Sequence, residues 1–216
     1  MTQEVKIMIA IAIATIALVV GAAVLLGSPK TPTETQNTKV DKKILVKDNN
    51  YKIGSSSAKV TVVEFADFQC PACGAAYLTT KQIIKDYDLR ILFVFRHFPL
   101  PQHKNAEIAA ETAEASGEQG KFWEMHDKLF ENQDKWSESD KPMSIFEGFA
   151  KDLGLDVDKL KSEVEKEKFK NKITKDQDEG SSIGVNSTPT FFINGEQFSG
   201  VLSYDEFRKA IEKLLK

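Results

Sequence analysis

The two cysteines of this chain, Cys70 and Cys73, stand three residues apart, and its 216 residues contain no other thiol. A structural disulfide framework needs several cysteines at varied spacings, so this fold has to stand on a packed core. The pair is then free to cycle between dithiol and disulfide. With 41% hydrophobic and 28% charged residues, the chain can bury one core of good size but is small for two. One globular domain with appendages is expected. A formal net charge of -3 offers no basic excess to neutralise a phosphate backbone, which argues against nucleic acid as a partner.

Residues 7–26 carry no charge, and Thr15 is their one clearly polar side chain. As a helix rising about 1.5 Å per residue they would reach roughly 30 Å, the thickness of a bilayer's hydrocarbon core. Residues 1–27 therefore read as an uncleaved transmembrane anchor. A long signal peptide is the rival, with Gly21-Ala22-Ala23 and Gly27-Ser28 as weak exits. Lys6 on one side, against Lys30, Lys39, Lys42 and Lys43 on the other, opposes an outside C-terminal domain when counted naively. Long domains nevertheless translocate largely regardless of charge. Residues 28–42 hold Pro29, Pro32 and several threonines. They cannot bury enough surface to offset their conformational entropy, so a flexible linker is expected.

The globular part, residues 43–216, reads as α/β. Ile44-Leu45-Val46 is a short apolar run suggesting a first strand, and residues 60–65 are a stronger one, rich in β-branched side chains. The cysteine pair follows, then a helical stretch over about residues 71–87, then a continuous apolar strand over residues 90–95. Residues from about 103 to 183 form a large helical insertion, in which Phe122, Met125, Leu129 and Phe130 share one stripe and Phe146, Phe149, Ala150 and Leu153 another. Asp156 suits an N-cap, and Gly117 and Gly154 suit helix stops. Strand character returns at Thr190-Phe191-Phe192-Ile193, and Asn194-Gly195 is a strong two-residue hairpin signal. A last amphipathic helix is expected over about residues 204–215, capped by Ser203.

A thiolate attacks a disulfide, so a redox cysteine needs surroundings that lower its pKa from about 8.5. The strand–turn–helix pattern places Cys70 at a helix N-terminus, where unpaired N–H groups and the helix dipole favour an anion. Pro71 suits the first turn because its missing N–H would have no partner there. Cys73 returns to the same face, within reach of a disulfide, and can resolve a mixed disulfide by attacking Cys70. Lowering a thiol pKa from about 8.5 to about 5 would stabilise the reduced form at pH 7 by roughly 2.7 kcal/mol, or about 60 mV for two electrons. Half of a zinc site is the rival reading of the pair. A closed site needs four ligands, and His97, His103 and His126 do not stand at finger-like spacing. No metal and no cofactor beyond the redox-active disulfide is expected.

The run Glu64-Phe65-Ala66-Asp67-Phe68-Gln69-Cys70-Pro71-Ala72-Cys73, with Val185-Asn186-Ser187-Thr188-Pro189-Thr190-Phe191-Phe192-Ile193-Asn194-Gly195, resembles the DsbA-like thioredoxin-fold family. The resemblance extends from about residue 43 to the C-terminus and includes Phe122-Trp123-Glu124-Met125-His126-Asp127. It implies a thioredoxin-like fold with an inserted helical domain, with Cys70 as exposed nucleophile and Cys73 as buried resolving thiol. It also implies that Pro189 is a cis-proline facing the disulfide, that Thr188 shapes substrate contact, and that Glu64 beneath the site helps move the proton of the buried thiol. Without it, Pro189 would default to a trans proline at a strand start. Glu64 could likewise be an exposed strand residue, although apolar neighbours favour its burial and a raised pKa. The dipeptide between the cysteines is Pro71-Ala72, where the best-known strong oxidants of the family have Pro-His. Ala72 can donate neither a hydrogen bond nor a charge to the thiolate.

The resulting expectation is a monomeric thiol–disulfide oxidase, fixed in the cell membrane with its catalytic domain outside the cytoplasm. As the resemblance implies, it would act on cysteine-containing unfolded exported proteins and be reoxidised by a membrane quinone-linked partner. A reductase or isomerase using the same pair, or an anchored binding or chaperone domain, are the alternatives.

Overall fold

The computed structural model describes residues 39–216; the anchor expected over residues 7–26 and most of the expected linker lie outside them. Among the described residues no helix is long and apolar enough to cross a membrane.

Five strands form one sheet in the order β1 (Tyr51–Gly54), β3 (Ile91–His97), β2 (Val60–Ala66), β4 (Thr190–Ile193), β5 (Glu196–Ser199). The centre is a parallel pair, registered from Val60↔Ile91 to Ala66↔His97, and β1, β4 and β5 join it antiparallel. Every residue of β2 and β3 is buried, as expected for strands covered on both faces. The period of two divides them cleanly. Val62, Ala66, Phe93, Phe95 and Phe191 enter the larger core, whereas Val63, Phe65, Leu92, Val94 and Phe192 enter a smaller cluster with Leu45, Phe98 and Val185. Glu64 alternates in step with Val62 and Ala66, so its side chain is directed to the larger core.

Between β2 and β3 runs α2 (Pro71–Tyr87), and the chain closes on α9 (Tyr204–Leu215), which packs against α2 and β2. Ser203 and Glu206 form a reciprocal capping box at its start. Between β3 and β4 stand six helices: α3 (Ala106–Gly117), α4 (Phe122–Glu131), α5 (Gln133–Trp136), α6 (Pro142–Asp152), α7 (Val157–Glu165) and α8 (Lys170–Ser182). Asp156 caps α7 by accepting from the Lys159 N–H. At the β4–β5 hairpin, Asn194 and Gly195 take φ of 46° and 85°, the left-handed pair that matches strand twist in a two-residue turn.

One expected strand is absent. Ile44 and Leu45 belong to a single helical turn, α1 (Lys42–Leu45), whose N-cap Asp41 accepts from the Lys43 N–H. The local cap outweighs a three-residue apolar run. The edge position is taken instead by β1, four residues that are at most half-buried.

A polar core joins the insertion to the sheet. Arg96 is fully buried on β3; its Nε donates to Asp176 Oδ1 of α8 at 2.8 Å and its Nη1 to the Ile44 carbonyl at 3.1 Å. Asp176 Oδ2 also accepts from the His97 N–H at 3.2 Å. Buried charge is tolerated here because its partners are in place.

Candidate functional site

The loop leaving β2 is held by Asp67, whose Oδ1 accepts from the Gln69 N–H at 2.7 Å and whose Oδ2 accepts from the Leu100 N–H at 2.9 Å. His103 Nδ1 meets the same Oδ2 at 2.5 Å. This turn delivers Cys70 to the N-cap of α2 in extended conformation, with Pro71 in the first helical turn. Cys73 lies one turn in and is fully buried, whereas Cys70 retains 6% exposure. The expected exposed nucleophile is thus at the helix start, but it presents only a small face. The Thr188 carbonyl lies over its sulfur, and Gln133 holds its carbonyl.

The two thiols are unbridged and chemically opposite. The Cys70 thiol is lowered to about 5, first by a hydrogen bond from the Cys73 thiol, then by Thr188 and by the N–H groups of Cys73 and Ala72, against an opposing burial effect. Burial pushes Cys73 well above the ordinary thiol range; its hydrogen bond to Cys70 and the nearby charges of Cys70 and Glu64 push the same way. One sulfur is built to be an anion and the other to keep its proton.

The Thr188–Pro189 peptide bond is cis, and the Thr188 carbonyl lies 3.4 Å from Cys70 Sγ, accepting from the thiol. Once Cys70 ionises that carbonyl has nothing to accept. The Thr188 side chain lowers the Cys70 thiol, and its hydroxyl is buried with no hydrogen-bond partner in this geometry. Pro189 is buried beside it, Pro71 is exposed and Ala72 is half-buried. Glu64 is buried on the α2 face of β2, and burial alone raises its carboxyl to about 8.

The insertion closes this loop through amides that sequence reasoning missed. Gln133 Nε2 donates to the Phe68 carbonyl at 2.7 Å and to the Cys70 carbonyl at 3.0 Å. Its Oε1 would lie 2.6 Å from a Cβ on Gly74, so a larger residue at that turn would have to displace the Gln133 amide. Gln69 Oε1 accepts from the Asn105 N–H at 2.6 Å and its Nε2 donates to the Ser137 carbonyl at 2.7 Å. Only Gln69, flanking the cysteines, had any local signal. Of the three histidines, His97 pairs with Glu114 at 2.8 Å, His103 with Asp67, and His126 Nδ1 with Asp127 at 3.1 Å. Among the described residues no group of three or more His, Cys, Asp or Glu side chains is placed to hold a metal ion.

The thioredoxin family profile matches residues 47–213. A Bacillus cereus protein named probable disulfide bond formation protein D is 30% identical over 191 residues, covering 83% of this chain and 86% of that protein. The oxidised crystal structure of BdbD from Bacillus subtilis superposes with a TM-score of 0.68 at 29% identity, covering 77% of this chain and 92% of that one. A Na(+)/H(+) antiporter, NhaA 3 of Salinispora tropica, is 38% identical over 165 residues, covering 76% of this chain. The chain spans only 24% of that antiporter's length. With the thioredoxin-like sheet, the six-helix insertion and a helix-capping cysteine pair, these likenesses place the chain in the DsbA-like branch of the thioredoxin family.

Proposed function

We propose that the chain is a thiol–disulfide oxidoreductase working through Cys70 and Cys73, and specifically an oxidase that forms disulfide bonds in exported proteins. A client thiolate attacks Cys70 Sγ of the oxidised pair; the Cys70–Cys73 bond breaks and Cys73 leaves with the electron pair, taking a proton from Glu64. A second client thiolate then attacks the client sulfur of the mixed disulfide, forming the client's disulfide and releasing Cys70 as a thiolate. The observation that carries this reading is the opposite polarisation of the two sulfurs: Cys70, held near 5, is a good leaving group, while Cys73 stays protonated.

A depressed pKa stabilises the reduced form above that pKa and ceases to do so as pH falls through it, which favours oxidase over reductase or isomerase work at neutral pH. Thr188 and Pro189 would line the contact with the client, and Pro71 and Ala72 would support the sulfurs from the helix side. Reoxidation would come from a membrane quinone-linked disulfide partner. Residues 7–26 would hold the domain at the outer side of the membrane.

Equilibration of the full chain with glutathione redox buffers is expected to give a reversible two-electron transition with an oxidising midpoint; a midpoint as reducing as a structural disulfide would overturn the oxidase reading. Full-length chain is expected to stay with membranes through alkaline extraction, and release into the supernatant would remove the anchor.

A further inference from the structure

Cys70 is the joint between the loop leaving β2 and helix α2, with φ -65° and ψ 122°. Its sulfur lies on one side of the Cα–C bond, and the Ala72 and Cys73 N–H groups that help to lower its thiol lie on the other. Rotation about that bond swings the donors toward the sulfur or away from it. Pro71 locks the next φ and the helix holds the torsions that follow, so ψ of Cys70 is the soft one. Gln133 spans this joint. One of its two Nε2 hydrogens goes to the Phe68 carbonyl on the loop side, the other to the Cys70 carbonyl on the helix side. The Cys70 carbonyl is also tied into α2 by the Gly74 N–H at 3.1 Å, and the loop is tied down by Asp67, which takes the Gln69 N–H at its side chain and the Cys70 N–H at its carbonyl. Among the described residues no other side chain donates to either carbonyl that Gln133 holds.

The mount of this amide is rigid. Gln133 opens the single turn α5, whose last residue, Trp136, is fully buried, stands edge-on to Phe146 at 5.3 Å and donates its Nε1 hydrogen to the Leu129 carbonyl at 2.8 Å. Asn105 Nδ2 gathers the carbonyls of Trp136, Ser137 and Ser139 at 2.9 to 3.1 Å, and Gln69 Nε2 holds Ser137 from the loop itself. Both partners of the Gln133 amide are carbonyls, which only accept, so its nitrogen faces them and its oxygen faces α2 at Gly74. Gln133 makes no hydrogen bond to the Cys70 sulfur. Whatever it does to that sulfur runs through the backbone.

We propose that Gln133 is a positioning residue of the cysteine pair: by clamping Phe68 and Cys70 with one amide it fixes ψ of Cys70, and with it the reach of the α2 N–H groups to the Cys70 thiolate. The inference rests on the oxidoreductase reading and deepens it, giving the helical insertion a part in setting the redox balance of the pair. Without the clamp the joint relaxes and the two N–H groups hold the anion less well. The disulfide carries no charge and has no such stabilisation to lose. The thiol pKa therefore rises, the reduced form is weakened at any pH above the inflection, and the midpoint falls.

The test titrates reduced full-length chain by thiolate ultraviolet absorbance and equilibrates it with glutathione, two of whose thiols reduce the Cys70–Cys73 disulfide and leave as glutathione disulfide. Gln133→Met keeps the length of the side chain and removes both donor hydrogens. The Cys70 inflection is expected to rise from about 5 in the wild type by about one unit, and the midpoint at neutral pH to fall by about 30 mV. Gly74→Ala reaches the same clamp from the helix side. Its Cβ would lie 2.6 Å from Gln133 Oε1 and push the amide off the two carbonyls, so a similar rise is expected even though alanine favours a helix over glycine. In a Gln133→Ala background, where that Cβ has room, Gly74→Ala should add nothing. A purely structural role predicts a lower urea midpoint with the inflection and the potential unmoved. That result, or rises that add in the double variant, would overturn the clamp and leave the oxidoreductase reading intact. A wild-type Cys70 that titrates in the ordinary thiol range, with no transition in glutathione, overturns both. Should Gln133→Met fail to fold, Gly74→Ala against wild type carries the comparison, and an unmoved inflection there counts against the clamp.

Discussion

The mouth and the floor of the cysteine pair are one helical turn apart and are made by different means. At the mouth, Cys70 caps α2 and draws on hydrogen bonds: the Cys73 thiol first, then the Thr188 side chain and the N–H groups of the first turn. At the floor, Cys73 and Glu64 are shaped by what covers them, since burial is the leading cause of both upward shifts. Hydrogen bonds at the helix start thus make the nucleophile, and burial makes its proton-holding partner. The two can be perturbed separately.

The sharpest break in the comparison comes from removing one sulfur at a time. Cys73→Ala leaves a nucleophile that forms mixed disulfides it cannot release, so covalent complexes through Cys70 are expected to accumulate on non-reducing gels. Cys70→Ala leaves a thiol that is fully buried and holds its proton, and should trap almost nothing. Turnover should be lost in both. Equal trapping, or turnover surviving in Cys70→Ala, would mean that the division of labour is misassigned.

The same division explains what the sequence disclosed. Cys70 was legible because a strand, a turn and Pro71 in the first helical turn are all local signals. Asp156, Ser203 and the Asn194-Gly195 turn were legible for the same reason. The burial of Glu64 could be anticipated from apolar neighbours, but its place in a groove shared with His126 depends on α4, more than fifty residues away in the chain. Gln133 and Asn105 reach the active-site loop through tertiary contacts with no periodic signature. The Arg96–Asp176 pair was likewise invisible, its partners being eighty residues apart. The first strand was misplaced because Ile44-Leu45-Val46 has stronger β propensity than Tyr51–Gly54, while the Asp41 cap and the register against β3 favour the opposite outcome.

Glu64 sharpens the floor's side of the comparison. The folded chain holds its proton to about 8, whereas an unfolded glutamate releases it near pH 4.3. Between those values the folded state binds more protons than the unfolded one. Stability from this group is therefore fully present below the unfolded pKa and is lost as pH rises through the folded one, by an amount on the order of a few kcal/mol. Glu64→Gln removes the titration. Its advantage over wild type in urea unfolding should grow from about pH 5 to about pH 8 and then level off. A gap that does not change with pH would show that the carboxyl is not buried in a proton-holding state.

The smallest expected effect belongs to the mouth. Thr188→Val keeps the shape and the backbone carbonyl next to Cys70 but deletes the buried hydroxyl of the side chain that lowers the Cys70 thiol. A hydrogen bond to a charged group contributes about 1.5–3 kcal/mol, and sulfur is a weak acceptor, so a rise of about one pKa unit is expected. Thiolate ultraviolet absorbance, or the pH dependence of Cys70 alkylation, should move its inflection from about 5 in the wild type toward about 6 in the variant. The sign fixes the redox consequence. Above both inflections the reduced form loses about 1.4 kcal/mol of stabilisation, lowering the midpoint by about 30 mV; below them both thiols are protonated and the two proteins should coincide. The pH dependence of Glu64 should be the same in this variant as in the wild type, because the hydroxyl acts on the mouth alone. An equal shift at both sites would mean that mouth and floor form one coupled unit and that their separate construction is an incorrect description of the pair.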